Sequence, residues 1–369
     1  MTRWLADVQA GIGRRPAWAA IAFVGVGATA FVTGLGGGGA PRAFAALIAS
    51  WLFFAGAAAG ALAFRAFFSI VDARWARPVA ALAGIHIAFA PVALFVLVVI
   101  VMGAGAAPWL RPAAADATWL TLPSFAIRQI AVNVVLFGLA SFALRPRSGS
   151  SERPTRALAV VYCLVYAVAL SVWAFDFVLG PAPGFASTLI GPFVFMGAFV
   201  AGTGVAVLVA LARGSLGEPE RRDAGALVLA LSIFWAYLFW SQYLTIWYGN
   251  QPDEIEWALL RHQAGWDVVV VAAVALVFVA PFVALLGARG RRSSRVLGGL
   301  LVAQLVGLWL CCHLLIVPSV APGAHLDVRD VLAGLGMLGA FVLSWASALG
   351  RGKSPPAVDR PSDPANVRR

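Results

Sequence analysis

Ten times along this chain, apolar residues continue for close to the roughly 20 positions that an α-helix needs to cross a bilayer. The runs are Pro16–Leu35, Ala43–Phe64, Pro78–Met102, Pro123–Leu144, Arg156–Leu179, Ser187–Leu211, Asp223–Tyr248, Gly265–Leu286, Arg295–Pro318 and Val328–Leu349. Within lipid every backbone N–H and C=O must find its partner in the same segment, so runs of this length imply helices. Charged residues make up 12% of the chain, about half the share of a soluble domain. The expectation is an all-α polytopic membrane protein of ten helices, with a tail at 1–15, a transmembrane domain at 16–349 and a disordered tail at 350–369. The first run lacks a small-residue cleavage site after a short apolar core, and reads as an uncleaved helix.

The net charge of +11 invites a nucleic-acid partner, and its distribution excludes one. Twenty-two of the 27 basic residues fall in the two tails and in every second connection, among them Arg65, Arg74, Arg77, Arg213, Arg221, Arg222, Arg291 and Arg292. The intervening connections hold only Arg42, Arg111, Arg261 and Arg329, and Arg128 lies inside a run. The positive-inside rule then places both termini in the cytoplasm, and the clean alternation supports the count of ten. One Lys against 26 Arg, with abundant Ala and Gly, points to a GC-rich bacterial genome.

An internal echo links the second and sixth runs. Leu47, Ile48, Phe53, Ala59 and Gly60 align with Leu189, Ile190, Phe195, Ala201 and Gly202. Both runs start on the same side, so the repeat is parallel and divides the domain into four-helix halves at 43–179 and 187–318, flanked by single helices. Cys163, Cys311 and Cys312 all lie within runs; they provide no disulfide framework or haem or iron–sulfur spacing and read as packing residues.

Ionisable and amide groups inside hydrocarbon are costly, which makes them informative. His86, Arg128, Gln129, Asp176, Gln242, Asp267 and His313 stand out. His86 lies in the inner half of its helix, where a core histidine and a proton-path member are both open readings. The other six lie within about six residues of the outer ends of their helices, about 9 Å at 1.5 Å per residue. If their helices adjoin, they form one polar cluster. Asp176 and Arg128 read either as a structural ion pair or as part of a quinol headgroup or proton-relay site, for which a carboxylate can take a phenolic proton. His86 and His313 lie near opposite faces, which excludes a bis-histidine haem, and no metal site is expected.

The stretch FWSQYLTIWYGNQPDEIEW, Phe239 to Trp257, ends the seventh run with more than an aromatic belt. Ser241, Gln242, Thr245 and Asn250 add polar groups around the helix, which predicts protein neighbours on more than one side, with Gln242 and Tyr243 as the inward edge. Asp253, Glu254 and Glu256 follow in an acidic turn. This stretch resembles the F-S-Q-Y-x-x-I-W-Y-x-N-x-P-E-E segment of the ActF membrane subunits of Alternative Complex III, within the wider NrfD-like group. Ser241, Gln242, Tyr243, Ile246, Trp247, Tyr248, Asn250 and Pro252 match, and Asp253 and Glu254 take the two acidic places.

The resemblance implies a subunit of a respiratory quinol:cytochrome c oxidoreductase that holds no cofactor of its own. It also implies a quinone-binding or proton-conducting role, beside an NrfD-like paralogue and periplasmic iron–sulfur and haem c subunits. Trp247, Tyr248, Asn250, Asp253, Glu254 and Glu256 become candidates for docking those subunits. A secondary transporter of two parallel repeats is the rival expectation, with Pro91 and Pro192 as its helix-breaking residues. A third is a structural anchor without a ligand.

Overall fold

The computed structural model describes residues 2–104, 119–144, 155–182, 184–263 and 265–351. Among these residues all regular structure is helical, and ten helical segments are long and apolar enough to cross a membrane, each overlapping one of the expected runs. The protein is an all-α polytopic membrane protein. The tail at 352–369 and the Arg145–Arg153 connection lie outside the described residues.

The first crossing helix is preceded by α1 (Thr2–Ile12), so the tail at 1–15 is largely helical. Then follow α2 (Arg14–Gly34), α3 (Ala40–Ile70), α4 (Arg77–Ala83) and α5 (Ala90–Gly103), with α4 and α5 forming one crossing. Next come α6 (Leu122–Ala143), α7 (Arg156–Ala174), α8 (Ile190–Ala212), α9 (Glu218–Gly249) and the short α10 (Pro252–Leu260). The chain continues with α11 (Trp266–Val274), α12 (Ala280–Leu286), α13 (Ala288–Arg292), α14 (Ser294–Val320) and α15 (Val328–Arg351).

At the centre stands α3. Of its most apolar 18-residue window, 94% is buried, against 28% for the crossing made by α11 and α12. Helices α7, α8, α14 and α15 surround it. Lipid and leucine are equally apolar, so helices associate in a bilayer through close packing of small side chains. One small-residue seam joins the two echo segments, on α3 and α8. A Cβ on Gly60 would overlap the carbonyl of Ala198, and one on Gly202 would overlap Ala61 N and Gly60 C. A Cβ on Gly56 would meet that of Ala198 at 3.1 Å, so equivalent positions of the two echo segments face each other. A second small-residue seam joins α2 to α15, where a Cβ on Gly27 would stand 2.5 Å from Gly336 Cα.

Three crossings depart from regular α-geometry. Between α4 and α5 the chain tightens into a 3-10 segment, Gly84–Phe89, just before Pro91, which can donate no backbone hydrogen bond. Single π-helical turns occupy Phe175–Leu179 after α7 and Ala275–Val279 between α11 and α12. In the second, Val277 O is reached by Gln304 Nε2 at 3.3 Å; the same amide donates to Ser232 Oγ at 2.8 Å. This buried side-chain amide ties α9, α14 and the π-turn together deep in the bundle.

Candidate functional site

The six polar groups of similar depth do not form one cluster. They separate into three places and one exposed residue, all toward the arginine-poor end. Asp267 is exposed on α11 and joins none of the others.

The first place is built on the π-turn after α7. A π-turn widens the helix by one residue and re-aims the side chains it carries, and Asp176 sits in it fully buried. Four hydrogen bonds converge on the carboxylate. Arg128 on α6 donates from Nη2 to Oδ1 at 2.6 Å and from Nε to Oδ2 at 2.9 Å, the side-on fork that suits the two planar groups. Trp119 Nε1 donates to Oδ1 at 3.0 Å, and Gln129 Nε2 to Oδ2 at 2.5 Å. The remaining arginine nitrogen, Nη1, donates to Trp119 O and Ser124 Oγ, and the guanidinium carbon lies 3.9 Å from the Trp119 ring centroid. Ion pair, cation–π contact and hydrogen bonds thus fix the outer ends of α6 and α7 to the chain before α6.

A carboxylate that already accepts four hydrogen bonds has its lone-pair directions taken up by the protein. The reactive potential lies beside it. Because a carboxylate only accepts, the Gln129 amide must turn its NH2 toward Asp176, which fixes the opposite orientation for its oxygen. Gln129 Oε1 is buried with no partner, and so is Asn133 Oδ1 one turn along α6, whose Nδ2 donates to Gln129 O at 2.9 Å. Two acceptors without donors in a low-dielectric setting are suited to a ligand hydroxyl or a water.

The second place lies where α3, α14 and α15 meet. His313 is fully buried on α14, with Nδ1 3.0 Å from Trp309 O and its ring 4.1 Å from the Trp309 ring. A backbone carbonyl accepts only, so Nδ1 carries a proton and the neutral ring leaves Nε2 bare. That nitrogen has no hydrogen-bond partner and stands 3.8 Å from Asp330 Oδ1. Asp330, buried in the first turn of α15, is forked by Arg42 from the start of α3, with Nη1 2.8 Å from Oδ1 and Nη2 on Oδ2. Asp327 N donates to Asp330 Oδ2 at 2.9 Å, and Arg42 Nη2 to His325 O at 3.1 Å. Sequence reasoning found His313 but neither Arg42, which lay in a connection, nor Asp330, which fell in the first turn of the tenth run and was not singled out.

The third place is modest. Gln242 is buried on α9, and its Oε1 accepts from Ser187 Oγ at 2.5 Å, which links α9 to the segment before α8. On α9 only the face bearing Trp235, Leu238, Gln242 and Ile246 is packed. Tyr243, expected with Gln242 on the inward edge, instead points outward beside Trp240. Thr245 folds back onto Gln242 O at 2.9 Å, and Trp247 and Tyr248 are exposed. Within this chain, α9 therefore has protein on one side and not on several.

Asn250 ends α9 in the left-handed conformation, φ 49°, which asparagine tolerates well. Pro252 then opens α10, where Asp253 and Glu254 sit at the favourable N-terminus. Asp253 and Glu256 are exposed and Glu254 is half-buried. The acidic segment is thus a short helix that packs against the end of α9 and α14. Its Trp257 stacks on Phe185 at 4.0 Å and 9°.

The following residue of interest, Arg261, was missed by sequence reasoning. It is 4% exposed, and its guanidinium carbon lies 3.5 Å from the Trp257 ring centroid. Nη1 donates to Trp257 O at 2.7 Å; Nη2 donates to Leu315 O at 2.6 Å and to Ser319 Oγ at 3.0 Å. Desolvation lowers its pKa well below the ordinary arginine value. Leu315 and Ser319 flank Pro318 inside α14, so the guanidinium takes up polar groups at a weakened turn. Arg261→Lys keeps the charge and loses the planar fork. A loss of about 1–3 kcal/mol is expected from the polar groups left unpaired, read as a lower thermal midpoint in detergent.

His86 is remote from all three places. It is fully buried in the 3-10 segment, with Nδ1 3.0 Å from Ala83 O and its ring 5.6 Å from Phe341 on α15. Its Nε2 has no partner. A cleft among α3, α8, α9 and α14, enclosing about 390 Å³ of unfilled space with its open mouth included, is lined chiefly by Phe53, Phe193, Trp235, Leu308 and Cys311. Such a lining suits a hydrocarbon chain better than a polar headgroup. Among the described residues no three His, Cys, Asp or Glu side chains gather to hold a metal ion. No protein-family model and no curated protein matches the chain.

Proposed function

We propose that this protein is a membrane subunit of a respiratory quinol:cytochrome c oxidoreductase in a bacterial inner membrane, with both termini cytoplasmic. The arginine-poor end is then periplasmic. An NrfD-like paralogue and periplasmic iron–sulfur and haem c subunits are the proposed neighbours, the latter two over α10 and the end of α9. The reading rests on the Gln242–Glu254 motif and on one observation of geometry. That observation is the pair of buried, unpaired acceptors, Gln129 Oε1 and Asn133 Oδ1, held in place beside the Arg128–Asp176 pair.

In this reading a quinol hydroxyl donates to Gln129 Oε1, Asp176 holds the amide in orientation, and Arg128 holds the Asp176 carboxylate in place. His313 and His86, each with an unpartnered ring nitrogen, are the proposed proton-path members on the outer and inner halves respectively. The test uses the purified complex. Haem and iron–sulfur absorbance in the same fraction as this chain supports the assignment. Gln129→Leu is expected to raise KM for quinol or lower turnover by about tenfold, the worth of one hydrogen bond of about 1.4 kcal/mol. Full quinol oxidation and proton uptake in Gln129→Leu, Asp176→Asn and His86→Leu would remove the site assignment.

The transporter alternative draws on the 3-10 break around His86, an interrupted helix at mid-membrane. Its counterpart under the repeat, α9, runs unbroken from Glu218 to Gly249. A paired break is what such transporters use, so the respiratory reading is preferred.

A further inference from the structure

We infer that the outward face of α9 is an interface inside the membrane, covered by a transmembrane helix of a different protein that brings a hydrogen-bonding group to Tyr237. The inference does not depend on the quinol chemistry proposed above. It starts from the angular order of α9. At 100° per residue, Ile233, Tyr237, Trp240, Leu244, Trp247 and Tyr248 fall within a sector of about 100°, opposite the packed face. All six are exposed.

Trp247 and Tyr248 stand at the helix end, where amphipathic rings belong at the headgroup level. Tyr237 lies eleven residues further in, about 16 Å below Tyr248 at 1.5 Å per residue, near the middle of a core about 30 Å thick. It is 61% exposed, and no described residue accepts from or donates to its hydroxyl. The phenol is too deep to reach water by tilting its ring, and acyl chains offer no partner, so lipid would leave the hydroxyl unsatisfied.

The two buried tyrosines of the crossing helices both find partners. Tyr166, also in a crossing helix, donates to Phe195 O at 2.6 Å, and Tyr162 to Ala59 O at 3.3 Å. The exposed large residues of α5, α6 and α11 are Phe95, Val98, Met102, Ile127, Val134, Phe142, Val268 and their like, without a hydroxyl or indole among them. Among the described residues only α9 turns a mid-depth phenol outward, with the Trp240 indole one turn above.

Shape decides between occupants. A second copy related by a two-fold axis along the membrane normal would set this aromatic stripe against itself, bulk on bulk. Close helix contact needs small residues on at least one side, and on this face of α9 the only ones among the six-residue stripe's neighbours, the exposed Ala226 and Ala230, lie toward the N-terminal end, with none from Ile233 to Tyr248. The complementary surface is a foreign helix with Gly, Ala or Ser facing α9 and a polar side chain or freed carbonyl level with Tyr237.

The test places a photo-cross-linking phenylalanine analogue at Tyr237, Trp240 or Leu244 in cells, with Phe95 and Met102 as lipid-facing controls, and maps adducts by mass spectrometry. The expected result is an adduct from the α9 positions, absent from the controls, joining one defined membrane-spanning segment with a small-residue face and a polar group. Tyr237→Phe should then lower the adduct yield from Leu244 about three- to tenfold, the range for one interhelical hydrogen bond. The variant's elution as a single species in detergent separates this from misfolding. Three outcomes overturn the inference: adducts no more abundant than at Phe95 and Met102, adducts containing two copies of this chain, or a yield unmoved by Tyr237→Phe.

Discussion

Replacing Asp176 by leucine is expected to cost about 3–5 kcal/mol, the usual penalty for removing one member of a buried ion pair. The arithmetic favours the high end. The carboxylate is fully buried, Arg128 is 13% exposed, and the arginine, Trp119 and Gln129 would all lose an acceptor at once. Asp176→Asn keeps the shape and can still accept, so it should cost less than half as much. The paired replacement Arg128→Leu with Asp176→Leu should recover most of the loss, since no uncompensated charge then remains in the hydrocarbon. Thermal unfolding followed by tryptophan fluorescence in detergent gives the order. A single Asp176→Leu as stable as the parent would mean that the pair is hydrated in the membrane.

The second large effect is steric. Gly60→Val or Gly202→Val should cost at least about 3 kcal/mol, beyond ordinary overpacking, because the added atoms meet backbone and not a side chain that can rotate away. The helices α3 and α8 would have to separate, undoing the central seam along its length. Gly25→Ala on α2 is the control: a Cβ there meets nothing within 4 Å, so stability should hold or rise slightly. Yield of monodisperse protein in detergent separates the two cases, and equal yields for Gly60→Val and Gly25→Ala would refute the close approach of α3 and α8.

Sequence and structure agree where physics leaves one solution. An apolar run of twenty residues can only be a helix in lipid, so all ten crossings were legible. Arg128 and Asp176 were legible as partners because each is too costly to leave alone there. What failed was depth without direction. Six groups at one level suggested one site, yet Asp267 faces outward, because α11 is apolar on every side and its sequence carries no phase. Tyr243 failed for the same reason on α9. Arg42, Arg261 and Asp330 were missed because they sit at helix ends, the first turns of α3 and α15 and the C-cap of α10, where charge is ordinarily solvated. The available signal was scarcity: on an end almost free of arginine, Arg42, Arg128 and Arg261 each have a structural task.

The burial of α3 has a consequence for the making of the protein. Translated second among the crossing helices, it must enter the bilayer while α7, α8 and α14 are still unmade. From Ile70 to Ala212 the ribosome needs about 7–30 s at ordinary speeds. Through that interval the future centre of the molecule stands alone in lipid, which its mean hydropathy of 1.9 permits. Its Ala and Gly surface is therefore shaped for two successive solvents: acyl chains first, then other helices. A nascent chain stalled before α8 would present that small-residue seam to any passing helix, an invitation to misassembly that membrane proteases would have to resolve.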